Sequence, residues 1–250
     1  RVREEAATVG GGRRELLVAA GAYGLYSLVR GLGGARMEQG MRNAARLAAL
    51  ERRLGIDVEA GLQRAFTERR LGMPAWSVFY VASQVVAMPL ALFMTYGHRR
   101  QDYAFLRNMA VLSWSSGVVW YAAQPTAPPR LAEAAVSDVV SRHFIDLDGR
   151  FVRAFYNPVA AMPSLHVGMS PVVAWALWAH GRHPAVRALA LAYPALVSVC
   201  VVVTGNHYLL DLAGGLAVVL PAAVIARRLA RPPSAGTPAA AAARTSGSAA

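Results

Sequence analysis

Lysine is missing from this chain altogether. All 26 basic side chains among its 250 residues are arginine, only 14 acids oppose them, and the formal net charge is +12. Cysteine is nearly missing: Cys200 stands alone, which excludes an intrachain disulfide and a multi-cysteine metal site. It falls within an apolar run, where a buried, inert thiol is expected. Charge of either sign is scarce, at 16% against 55% hydrophobic residues, where soluble domains carry about 25% charged residues. The charges also cluster between long apolar runs, so a soluble globular protein is excluded and a polytopic membrane protein is expected. The basic excess does not point to nucleic acid. The arginines punctuate apolar segments and form no stripe interleaved with exposed aromatics, so they read as membrane-flanking charge. The first apolar run lacks a small-residue cleavage site and is followed by no soluble domain, so no cleavable signal peptide is expected.

What is present is a series of six apolar runs: Leu16–Leu32, Pro74–Gly97, Tyr103–Gln124, Ser164–His180, Pro184–Thr204 and His207–Leu229. Each comes near the ~20 residues that cross a hydrocarbon layer, the first and fourth being the shortest. Backbone in lipid must satisfy its own hydrogen bonds, so these runs are expected to be helices. The fold class is therefore all-α: a polytopic membrane protein with six transmembrane helices. Between the first two runs, Ala35–Arg70 places Met37, Met41, Ala44, Ala45, Ala48 and Leu50 at helical spacing, with Gly55 and Gly61 expected to interrupt it. This segment reads as one or two amphipathic interfacial helices, or as a soluble helical hairpin capping the site. Pro125–Pro163 is a long polar connection, of a length usually kept for function. Residues 1–230 are expected to form one membrane domain. The Pro/Ser/Ala/Gly-rich tail, 231–250, is expected to be disordered. No internal repeat is evident.

Arginine in short connections sets the orientation. Arg13 and Arg14, Arg99, Arg100 and Arg107, Arg182 and Arg187, and Arg227, Arg228 and Arg231 share one side if there are six spans. That side is assigned to the cytoplasm, with both termini there, in the plasma (cytoplasmic) membrane. The Ala35–Arg70 segment pulls the other way, with eight arginines against five acids. Long amphipathic segments bind the interface and obey the rule poorly, so it is discounted. The sharing does not depend on the sign: Arg130 ends the third run, His166 begins the fourth and His207 begins the sixth, all on one face.

Three polar words lie on that face. In His207-Tyr208-Leu209-Leu210-Asp211, the histidine and aspartate are four apart and share a helix face. A carboxylate there can take one imidazole N–H and leave the other nitrogen as base or nucleophile. In Pro163-Ser164-Leu165-His166, Ser164 suits an N-cap, and the helix start behind it favours phosphate. In Pro125-Thr126-Ala127-Pro128-Pro129-Arg130, Arg130 follows a rigid Pro-Pro and can grip a phosphate oxygen. Taken singly, each word has a plainer reading: a satisfied buried pair, an ordinary capped helix, a snorkelling arginine. Together, ionisable groups at membrane depth point to a site.

These words resemble those of the type 2 phosphatidic acid phosphatase (PAP2) superfamily. The stretches Pro125–Arg130, Asn157–Val167 and Gly205–Asp211, with Glu51-Arg52-Arg53-Leu54-Gly55-Ile56 upstream, look most like its inositolphosphotransferase branch, which includes inositol phosphorylceramide synthases. The resemblance covers about Glu51 to Leu229. It implies a six-helix membrane core. His207 would attack phosphorus, Asp211 would orient it, and His166 would protonate the leaving alcohol and then activate the acceptor. Arg130 and the N–H groups near Ser164 would hold the phosphoryl oxygens. No metal or other cofactor is required. The implied partners are membrane lipids, a lipid phosphate substrate at the extracytoplasmic face, and water or an alcohol such as inositol or a glycan as acceptor. The broader family pattern has a lysine where Ala123 stands and an arginine where Val201 stands. Arg142, Arg150, Arg153, Thr204, Asn206 and Asn157 are candidates to replace them. Two other classes remain: a metal-dependent hydrolase using His166, His207 and Asp211 as ligands, and a non-enzymatic lipid-binding or transport protein. His98, His143, His180 and His183 are expected to be dispensable.

Overall fold

The computed structural model describes residues 11–31 and 36–230. The expected tail at 231–250 lies outside the described residues. Among the described residues, eight helices of ten residues or more carry the architecture: α1 (Gly12–Gly31), α2 (Met37–Leu54), α3 (Glu59–Glu68), α4 (Met73–His98), α5 (Arg100–Ala123), α6 (Leu165–His180), α7 (Pro184–Val203) and α8 (Leu209–Ala230). No strand occurs among the described residues; a lone bridge joins Thr126 to Ala160.

α4, α7 and α8 are long and apolar enough to cross a membrane. Of the helices at the other three expected spans, α6 has only 16 residues. α1 carries Arg13, Arg14, Glu15 and Arg30, and α5 carries Arg107 and Asn108 among its apolar residues.

α5 packs along α8, and α6 along α7. The contacts order the helix ends. Tyr103 and Arg107 near the start of α5 hold Glu15 near the start of α1, at 2.9 and 2.6 Å. At the same end Ala230 closes α8 against Tyr103, and His98 meets His180 edge-on at 5.7 Å. The starts of α6 and α8 lie at the opposite end, where backbone N–H of Ser164 donates to Asp211 O at 2.9 Å. That bond requires the two helices to approach closely. Glycine allows it: a Cβ on Gly168 would stand 3.2 Å from Gly215 O, and one on Gly215 would collide with Ser164 O. Small residues serve this purpose between apolar helices. Gly215→Ala is therefore expected to destabilise the protein by about 1–3 kcal/mol through overpacking, read as a lower melting temperature in detergent.

α4 contains one π turn, over Ser83–Ala87. Pro89 follows it, lacking the N–H that a regular helix would donate. Tyr193 Oη donates to Ser83 O at 3.4 Å.

Residues 36–70 form two helices. Gly55 ends α2 in the left-handed conformation (φ 69°), its N–H donating to Arg52 O and that of Ile56 to Glu51 O. Gly61 does not interrupt the segment as expected; it lies inside α3, where its missing side chain faces open space. One face of α2 is buried through Gly40, Ala44, Ala48 and Glu51. Gly40 O accepts Ala127 N–H at 3.1 Å. The segment is thus fastened to the polar connection rather than lying apart from it.

That connection is folded by short helical turns at Pro129–Ala132, Val139–His143 and Arg150–Arg153. Thr126 N–H donates to Val159 O at 2.8 Å, and Ala161 N–H to Thr126 O at 3.0 Å. These two bonds lock the stretch before Arg130 to the stretch before Ser164. Cys200 is buried, as its apolar context predicts, with its thiol 3.4 Å from Trp76 O.

Candidate active site

The sixth apolar run begins as helix two residues later than expected. His207 and Tyr208 precede α8, in a turn that starts at Thr204. Gly205 makes that turn: its φ is +75°, and a Cβ there would stand 2.8 Å from Val136 Cγ1. Both His207 and Asp211 are buried. The Asp211 carboxylate reaches back out of the first turn of α8, where one oxygen faces His207 Nδ1 at 3.3 Å and accepts Tyr208 N–H at 2.9 Å. The pair thus comes from a capping geometry rather than from two positions on one helical face. With Nδ1 engaged, Nε2 is left for other chemistry.

Ser164 caps α6, its Oγ accepting Val167 N–H at 3.4 Å. Its own N–H is spent on Asp211 O. Of the two amides that the helix's own turns leave unused at this end, that of Leu165 faces the Tyr121 hydroxyl, and that of His166 remains. Tyr121 Oη donates to Pro163 O at 2.8 Å and fixes the approach to the cap. The next turn brings His166 inward. Its ring lies 5.9 Å from that of His207, inclined at 62°. On its other side the Tyr80 ring stacks at 4.4 Å and 19°. Nothing in the sequence singles out Tyr80, because the contact joins α4 to α6 across 86 residues.

Arg130 sits in the first turn after Pro128, and its N–H donates to Gly205 O at 2.8 Å. Its Nη1 donates to Asp138 Oδ2 at 2.6 Å and Asp148 Oδ2 at 3.1 Å, and Nε to Asn206 Oδ1 at 3.2 Å. Burial disfavours the charge, but Tyr156, Asp138 and Asp148 outweigh it and hold the guanidinium protonated. Nη2 is buried without a hydrogen-bond partner of good geometry, the Tyr156 ring centroid lying 5.9 Å from the guanidinium carbon. A buried unpaired N–H on a cation can take an anionic oxygen at little further desolvation cost. The sequence flagged Arg130 but not the two aspartates that hold it.

A cavity of about 560 Å³ opens at this end, within the range that takes a small ligand. His166, His207, Asn206 and Asn157 line its polar part. Tyr26, Val85, Met88, Trp114 and Phe155 supply an apolar wall, with Val85 coming from the π turn. Arg130 does not line the cavity itself; it borders it through Asn206 and Tyr156.

The family positions occupied by Ala123 and Val201 are not compensated in place. Val201 is fully buried in the apolar core, where a cation would have no partner. Of the candidate replacements, Asn157 and Asn206 line the cavity. The Thr204 hydroxyl is tied to Cys200 O and to Asn206, and Arg153 pairs with Asp148 at 3.4 Å. Arg142 and Arg150 are not part of the cavity lining. Among the described residues, no group of three or more His, Cys, Asp and Glu side chains is arranged to hold a metal ion.

No curated protein and no solved structure matches this chain. The sequence profile of the PAP2 superfamily matches residues 45–225, which hold all five of the residues singled out above. Members are membrane enzymes of the phosphatase and phosphotransferase type, generally phosphoric ester hydrolases. With its helical, membrane-embedded architecture and a match over most of its length, the chain belongs to the PAP2 superfamily.

Proposed function

We propose that the protein transfers or hydrolyses a lipid-linked phosphate through a phosphohistidine on His207. The observation that carries this is the meeting of two imidazoles, 5.9 Å apart, at the polar end of an otherwise apolar cavity. His207 Nε2 attacks phosphorus as the bond to the leaving alcohol oxygen breaks, and His166 gives that oxygen a proton. His166 then takes a proton from water or an acceptor alcohol, whose oxygen attacks phosphorus and releases His207. Asp211 orients the nucleophile and stabilises its positive charge. Arg130 and the N–H groups near Ser164 hold the phosphoryl oxygens. Positioning and charge neutralisation are what phosphoryl transfer demands.

In this reading α1, α5 and α6 also cross the membrane, giving six spans, with α2 and α3 at the interface above the site. The arginine-bearing ends of the helices face the cytoplasm together with both termini, and the site faces outward from the plasma membrane. Within the family this reading takes the inositol phosphorylceramide synthase-like branch, supported by the Pro125–Arg130, Asn157–Val167 and Gly205–Asp211 words and by the Glu51–Ile56 element. The apolar wall suits an acyl or prenyl chain. An alcohol acceptor such as inositol or a glycan would make the enzyme a transferase, and water a phosphatase.

The test is phosphate release from a panel of lipid phosphates, with and without candidate alcohols. Release from at least one lipid phosphate, inhibited by millimolar vanadate as a mimic of pentacoordinate phosphorus, is expected. Free phosphate in the presence of every alcohol identifies the hydrolase, and a lipid-derived phosphodiester identifies the transferase. Turnover indifferent to vanadate would remove phosphoryl chemistry from the proposal. His98 and His180 touch each other at the far end of the bundle. Replacing either is expected to leave turnover within about threefold of wild type, since neither reaches the reacting atoms.

A further inference from the structure

Two carboxylates that the proposed chemistry does not use are buried beside it. Glu51 of α2 and Glu59 of α3 are 0% and 3% exposed. Glu51 Oε1 accepts Leu210 N–H at 2.6 Å, and Glu59 Oε1 accepts Leu209 N–H at 2.8 Å. Leu209 and Leu210 are the first two residues of α8, and their amides have no partner within the helix. Two residues before them stands His207, and one after stands Asp211. Gln63, one turn beyond Glu59, bonds Val203 O at 3.1 Å and Ser137 on three atoms, so it holds the other side of the same turn. The left-handed Gly55 lets α2 and α3 present Glu51, Glu59 and Gln63 to one place.

Among the described residues, no cation pairs with either acid. The groups that face Glu51 are Glu59 from α3, Asp211 from the first turn of α8 and Tyr208 from the turn before it, while Glu133 lies beside Tyr208. Arg52, next in sequence, turns instead toward Glu133, 3.8 Å away. Glu51 Oε2 is buried with no donor from any other described residue. Glu59 is the side chain that faces it, so a proton held between the two would give that oxygen a partner.

We propose that Glu51 and Glu59 form a proton-sharing carboxyl pair that clamps the first two amides of α8 and so positions His207 and Asp211. Glu51 and Glu59 are positioning residues here; neither lines the cavity. The proposal rests on the His207 site described above. Burial pushes the Glu51 carboxyl up to about 8, opposed by the Leu210 amide and reinforced by the Glu59 charge, so the pair retains a proton at neutral pH.

The full-length protein in detergent tests it with E51Q and E51A. Glutamine keeps a neutral acceptor for Leu210 and an N–H for Glu59. E51Q is expected to keep kcat within about threefold of wild type, while E51A loses about tenfold or more in kcat with KM nearly unchanged, as lost positioning requires. Hydrogen exchange at Leu209 and Leu210 should quicken about tenfold or more in E51A and stay slow in E51Q. A group whose pKa is raised on folding contributes stability at low pH that fades as pH rises. Wild-type melting temperature should therefore fall as pH rises from the ordinary glutamate range to about 8. E51Q should show a flatter profile.

Equal damage in E51Q and E51A, or amide protection and kcat unchanged in E51A, overturns the clamp. If E51A does not fold, the E51Q pH profile decides alone, and a slope equal to wild type overturns it. Exchange and melting need no turnover, so failure of the phosphohistidine reading leaves this test standing.

Discussion

Replacing His207 with alanine is expected to lower turnover by about 10³-fold or more, because the covalent step disappears and nothing nearby can take it over. His166 is the only other imidazole in the cavity lining, and its ring is held between Tyr80 and His207. Alanine would also strip the buried Asp211 of its imidazole partner, leaving one oxygen with only Tyr208 N–H. Some loss of stability would accompany the chemical loss. His207→Gln separates the two effects. Its amide can still donate toward Asp211, so the melting temperature should stay near wild type, while turnover should fall as far as in the alanine variant. Brief incubation with radiolabelled lipid phosphate should leave acid-labile label on the wild type and none on either variant. Turnover within about tenfold of wild type in His207→Gln would take the nucleophile role away from this residue.

The polar words were legible because ionisable residues at the ends of apolar runs are expensive unless they serve a purpose. Hydrophobic run length placed α4 and α7 to within a residue or two, but it missed the start of α8. There the side chain of Asp211 turns back to cap the helix, so His207 stands before the first helical turn rather than on it. A Ser164 cap follows from local chemistry and is found. What the sequence could not give is pairing across distance. Tyr80 against His166, Asp138 and Asp148 against Arg130, and Glu51 against Leu210 all join different elements. A partial signal existed for the last. Glu51, Gly55, Glu59 and Gln63 recur every four residues, and acids on the apolar face of an otherwise amphipathic segment ask for buried partners. Gly61 misled for the opposite reason: a glycine inside a helix costs only about 1 kcal/mol, which tertiary contacts readily absorb.

Arg130→Ala is the second large effect expected, and here stability and chemistry separate differently. The guanidinium is fully buried, whereas the Asp138 and Asp148 side chains are 22% and 34% exposed. Asp138 keeps the Ser141 N–H and Oγ donors when Arg130 is removed, and Asp148 keeps Arg153. Asn206 Oδ1 is the acceptor left stranded, at the turn that carries His207. Breaking a fully buried pair costs about 3–5 kcal/mol, and the exposure of the two acids brings the expected loss nearer to ~2 kcal/mol. Turnover measured where the variant is still folded should fall a further ~10²-fold, the loss typical of removing one charged donor to a transferring group. Arg130→Lys should restore part of the stability through its charge, yet little of the turnover, because one ammonium cannot serve Asn206, the two aspartates and a phosphoryl oxygen together. A lowered melting temperature with full turnover in Arg130→Ala would make Arg130 a structural tie between the Pro125–Pro163 connection and the Gly205 turn, and would leave the phosphoryl oxygens to the amides of α6.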